Sequence, residues 1–63
     1  MIEFTLPTMT CGHCVRSVTE TVQRLDAQAE LKFDLPTHHV SIQTQLPAAT
    51  LAQALAAEGY APA

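Results

Sequence analysis

Ile2, Phe4 and Leu6 alternate with Glu3 and Thr5, the two-residue period of a strand with one buried face, and Pro7 ends it because it has no N–H for a ladder. The pattern predicts a strand over residues 2–6. After a polar loop the period changes: Val15, Val18, Val22 and Leu25 recur at helical spacing, with Arg16, Ser17, Glu20, Gln23 and Arg24 on the other faces. This predicts a helix from residue 12 or 13 to 25. Valine is a poor helix former, so packing of that stripe against a sheet must supply the stability.

Ala29, Leu31, Phe33 and Leu35 alternate with Glu30, Lys32 and Asp34, Pro36-Thr37-His38 supplies a turn, and Val40 and Ile42 resume the alternation with Ser41 and Gln43 outward. Residues 29–44 therefore read as a hairpin. Pro47 suits the first turn of a second helix, over about residues 47–58, whose stripe is Ala48, Leu51, Ala52 and Leu55 and whose stop is Gly59. Its start is weak, since no Ser, Thr, Asp or Asn immediately precedes Pro47. A short edge strand is expected for Tyr60-Ala61-Pro62-Ala63.

Strand, helix, strand, strand, helix and a last short strand make the split βαβ, or ferredoxin-like, α+β arrangement: an antiparallel sheet with two helices on one face. Residues 1–63 are expected to form a single domain. We further expect the first and third strands to run parallel side by side, which would gather residues 7–14, residues 44–48 and Tyr60 at one end. The turn bearing His38 and His39 would then lie at the other.

Composition narrows the function. A chain of 63 residues has a thin core, and domains of this size often lean on a disulfide, a metal or association. With 48% hydrophobic and 14% charged residues it is globular rather than disordered. No apolar run approaches the roughly 20 residues of a membrane span, and Met-Ile-Glu-Phe-Thr has neither the basic start nor the apolar centre of a signal peptide. A cytoplasmic location is expected, with no membrane insertion. A net charge of −3, with only Arg16, Arg24 and Lys32 as permanent cations, excludes the basic face that nucleic acid requires.

The chemistry concentrates in Met9-Thr10-Cys11-Gly12-His13-Cys14. A disulfide between residues three apart closes too small a loop to brace the fold, so metal ligation and thiol redox chemistry remain. The segment joins a strand to a helix start, where free N–H groups and the positive dipole end favour a thiolate. Two metal–sulfur bonds of about 2.3 Å need sulfurs roughly 4–5 Å apart, within reach of a C-x-x-C loop. Soft thiolates select Cu(I) over hard cations. A closed structural zinc site would need four protein ligands, and there is no second cysteine pair.

Met9-x-Cys11-x-x-Cys14, the valine stripe behind it, the hairpin and the Gly59-Tyr60 pair resemble the heavy-metal-associated domain family, of the bacterial copper-chaperone type, over nearly the whole chain. The resemblance implies the ferredoxin-like fold, a Cu(I) site at Cys11 and Cys14, and transfer to the metal-binding domain of a copper-transporting P-type ATPase or to a copper-responsive regulator. It implies a carrier and not an enzyme. By position Met9 would be the buried anchor of the loop, and Tyr60 the aromatic residue beside the site. A homodimer bridged by metal is a further candidate assembly. Two positions depart from the family pattern: Thr8 stands where members often have Gly, and Asp26-Ala27-Gln28-Ala29 lacks the usual Gly-Val.

Several residues carry two readings. His13 is an auxiliary ligand or a solvent-facing residue that keeps the loop polar. Met9 is a thioether donor or core packing. Tyr60 donates toward a thiolate or covers the sheet edge. His38 and His39 are a second metal site or exposed turn residues, and Arg16 docks an acidic partner or is a solvated charge. The thiolate pair also suits Hg(II), Zn(II) or Cd(II). Cys-Gly-His-Cys is in addition the tetrapeptide of protein disulfide isomerases. That fold, however, needs about 100 residues and a longer βαβ beginning, and no Trp precedes Cys11 here.

Overall fold

A computed structural model describes residues 1–10 and 12–63. Along the chain lie β1 (Ile2–Thr5), α1 (Gly12–Leu25), β2 (Glu30–Asp34), one 3-10 turn (Leu35–Thr37), β3 (His39–Gln43) and α2 (Ala48–Ala57). The hydrophobic periods thus locate both helices and three strands to within one or two residues.

The strand order is β1-β3-β2, and β3 runs antiparallel to both neighbours. Ile42 faces Ile2 on one side and Leu31 on the other; His39 faces Thr5 and Asp34. This corrects the expected parallel pairing of the first and third strands. A strand-helix-strand crossover makes β2 the parallel mate of β1, and the hairpin then reverses β3 between them. The β2–β3 turn therefore sits at the end where β1 finishes and α1 begins, while residues 44–48 sit at the far end with the last turn of α1.

Both helices pack on one face of the sheet. Val18 and Val22 from α1 and Leu51 and Leu55 from α2 close over Val40 and Ile42, with Leu6 and Met9 completing a fully buried cluster. Each such side chain contributes roughly 1.5–3 kcal/mol by leaving water, so a core this small depends on every member. The opposite face carries Glu3, Thr5, Lys32, Asp34 and Gln43, all exposed. Leu25, expected in the buried stripe, is 45% exposed. It lies in the last turn of α1 and lines a hollow of about 580 Å³ with Asp26, Gln28, Gln43, Thr44, Gln45 and Leu46. Thr21 is buried instead, its hydroxyl donating to Ser17 O at 2.8 Å.

The fourth strand does not form. The Ala63 N–H donates to Thr5 O at 2.8 Å, which starts a ladder along β1. Its next antiparallel rung would pair Ala61 with Pro7, and Pro7 has no N–H to give. The start of α2 is as weak as its sequence: Pro47 is the N-cap without a side-chain cap, and its carbonyl accepts from Thr50 and Leu51. Its end is well made. Tyr60 N–H donates to Leu55 O at 2.8 Å and Gly59 N–H to Ala56 O at 3.1 Å, with Gly59 left-handed at φ 90°. This is a Schellman closure, which requires the conformation that glycine adopts without strain.

Candidate metal centre

The segment leading out of β1 is pinned at two apolar points. Leu6 and Met9 are both fully buried. Between them Pro7 and Thr8 form a turn closed by the Met9 N–H donating to Leu6 O at 2.9 Å, with proline at the turn position that suits its fixed φ. Met9 thus plugs its side chain into the core, the anchoring position expected of it.

Cys14 is the third residue of α1. It is half-buried and packs against the margin of the core, because Cys14, Val18 and Val22 are spaced four apart and share one helix face. Its thiol donates weakly to Thr8 O at 3.8 Å. Cys14 lies in the first helical turn, the part of a helix whose backbone N–H groups lack an intrahelical acceptor and where the helix dipole in general favours a thiolate. Cys11 lies outside the described residues. His13 is exposed in the same turn.

Tyr60 is half-buried against the core, drawn in by the closure at the end of α2. The site end is tied to that closure directly, since the Thr8 hydroxyl donates to Gly59 O at 3.1 Å. The residue that departs from the family's usual glycine is therefore one that fastens the loop. The other departure also has a structural role. Asp26 Oδ1 accepts from the Gln28 N–H at 3.1 Å and Oδ2 from the Thr44 hydroxyl at 2.7 Å, so an aspartate turn replaces the glycine-based connection. These donors, Thr44 first, hold the Asp26 carboxyl below its ordinary value of 3.8.

His38 was expected at the far end and is found at the near one. Its Nδ1 lies 2.8 Å from Met9 O, and its carbonyl accepts from the Leu6 N–H at 2.7 Å. A strict crossover argument from the sequence would have placed it there: if β2 is parallel to β1, the turn after β2 must lie where β1 ends. His39 points to the other face of the sheet, where Nε2 meets Glu3 Oε1 at 2.7 Å. The two adjacent histidines thus engage different partners. Among the described residues no three His, Cys, Asp or Glu side chains, His38 and His39 included, stand close enough to hold a metal together.

Residues 3–61 match the family model of the heavy-metal-associated domain. The fold superimposes on the copper chaperone Atx1 from Synechocystis PCC6803 in a trimeric form, with a TM-score of 0.96, 38% identity and both chains covered in full. A cyanobacterial copper metallochaperone, ScAtx1, solved in solution, gives a TM-score of 0.79 at 37% identity, with 98% of this chain and 97% of that one covered. A gold binding protein gives 0.93 at 37% identity, with 98% and 95% covered. No curated protein matches the chain. The ferredoxin-like architecture is therefore shared with metal-carrying relatives, and no helix among the described residues is long and apolar enough to cross a membrane.

Proposed function

The chain belongs to the heavy-metal-associated domain family, and from that premise we propose that it carries Cu(I) between the thiolates of Cys11 and Cys14 and passes it to a partner. Its 63 residues act as one domain in the cytoplasm, where both thiols stay reduced. The observation that carries this reading is Cys14. Its sulfur lies at the rim of the core in the first turn of α1, three residues after Cys11 in a chain of this family. Buried Met9 and the Thr8 tie brace the segment that leads into the pair.

On loading, each thiol gives its proton to solvent and becomes a ligand; Cys14 gives up its weak bond to Thr8 O. A two-coordinate Cu(I) leaves open positions. A partner thiol deprotonates and attaches, a three-thiolate intermediate forms, and one of Cys11 or Cys14 departs and is reprotonated. The copper stays Cu(I) throughout and nothing is turned over, so the protein is a carrier and not an enzyme. The acceptors that fit are the metal-binding domain of a copper-transporting P-type ATPase and a copper-responsive regulator. A second copy of the chain, sharing the metal, is the third.

Competition for Cu(I) against a strong chelator tests this. Cys11→Ser and Cys14→Ser should each abolish tight binding, whereas His13→Ala should weaken it only modestly. Full affinity in either serine variant would remove the site. The similarity to a gold binding protein favours one second reading, a carrier of another soft ion such as Hg(II), Zn(II) or Cd(II); parallel titrations rank them. Strong turnover in an insulin reduction assay would instead favour a thiol-disulfide oxidoreductase.

A further inference from the structure

His38 holds the left-handed backbone conformation, φ 58° and ψ 30°, at the end of the 3-10 turn. Among side-chain-bearing residues this region is uncommon, with Asn, Asp and His enriched in it. All three of its hydrogen-bonding handles toward the chain are engaged. Its N–H donates to Leu35 O at 3.1 Å and its carbonyl accepts from the Leu6 N–H at 2.7 Å. Its ring Nδ1 lies 2.8 Å from Met9 O. A carbonyl oxygen can only accept, so Nδ1 carries the hydrogen and the ring donates.

Met9 is then fixed three times over. Its N–H is bonded to Leu6 O, its side chain fills the core, and its carbonyl is held by His38. That carbonyl belongs to the peptide joining Met9 to Thr10, the last peptide plane but one before Cys11. We infer that His38 is a positioning residue of the metal loop: it sets the direction in which the chain enters the Cys-x-x-Cys segment, so that the loop is ordered before the ion arrives. The inference rests on the carrier reading above. A ligand loop ordered in advance loses less conformational freedom on binding, so the histidine raises metal affinity without touching the metal.

Three variants separate the ring from the backbone. His38→Gly keeps the left-handed conformation at no steric cost but removes the donor. In His38→Asn the amide nitrogen occupies nearly the place of Nδ1, and asparagine also tolerates the left-handed region. His38→Asp puts an acceptor against the Met9 carbonyl. In chelator competition H38G and H38D should hold Cu(I) about five- to tenfold more weakly, the usual worth of one intramolecular hydrogen bond, while H38N stays within about twofold of wild type by the same reckoning. Nitrogen-15 spectra of the metal-free wild type, which need no variant to fold, should show His38 with the hydrogen on Nδ1. Equal Cu(I) retention in wild type and H38G, or a hydrogen on Nε2, overturns the inference while leaving the carrier reading intact. A wild-type chain that does not bind Cu(I) overturns both.

Discussion

The hydroxyl of Thr8 donates to the carbonyl of Gly59, fifty-one positions away, across 3.1 Å. The metal loop and the end of α2 are thereby one mechanical unit. Thr8→Val keeps the shape of the side chain and removes the donor. We expect a loss of about 0.5–1 kcal/mol, the lower range for a hydrogen bond near solvent, and a fall in Tm of roughly 2–8 °C for a domain of this size. An unchanged melting curve would show that the tie is not made in solution.

Gly59 has open space where a Cβ would go, so Gly59→Ala meets no clash and its cost is conformational. The positive φ should cost about 1–2 kcal/mol, with Gly59→Asn losing less because asparagine accepts this region. Chemical denaturation of the two variants gives the ordering, and an alanine variant as stable as wild type would contradict it.

Met9 discriminates packing from ligation. Met9→Ala should cost about 2–5 kcal/mol through the cavity it leaves, which is comparable to the whole stability of so small a domain. Met9→Leu conserves volume and should cost less than about 1.5 kcal/mol while keeping Cu(I) affinity. Loss of affinity in the folded leucine variant would make the thioether a ligand.

Asp26 supplies a pH dependence of known sign. Its folded carboxyl titrates below the ordinary 3.8 because Thr44 and then Gln28 donate to it. The native state therefore binds the proton less readily than the unfolded one. The resulting stability is fully present above the unfolded value and is lost as pH falls below about 4 through the folded value. Asp26→Asn should remove that part of the acid sensitivity. Parallel acid titrations of both proteins, followed by circular dichroism, would have to diverge in this window and nowhere above it.

The two thiols, the strand-to-helix setting and the burial of Met9 were legible in the chain because each depends on neighbours within a few residues. Pro7 after Leu6, the i, i+4 spacing from Cys14 to Val18, and Gly59 ending an apolar stripe are local signals with local causes. The misplaced turn shows where such signals stop. Alternation from Leu31 to Ile42 marks a hairpin equally well whichever way it lies against β1, and no residue within it records that β2 must run parallel to β1. Leu25 and the unformed last strand are failures of a related kind. A helical period does not reveal where the sheet beneath it ends, and the missing rung at Ala61 is caused by Pro7 at the other end of the chain.

By itself, then, the order of residues determined most of the side chains that turn inward, which soft donors are present and which family they belong to. Only the tertiary structure decided which ends of the elements meet, and so brought His38 to Met9 across 29 positions and Thr8 to Gly59. Side-chain periodicity is imposed by backbone geometry one residue at a time. The meeting of distant segments depends on strand direction, which is transmitted through a whole crossover and fixed only when both helices bury their stripes on the same face of the sheet.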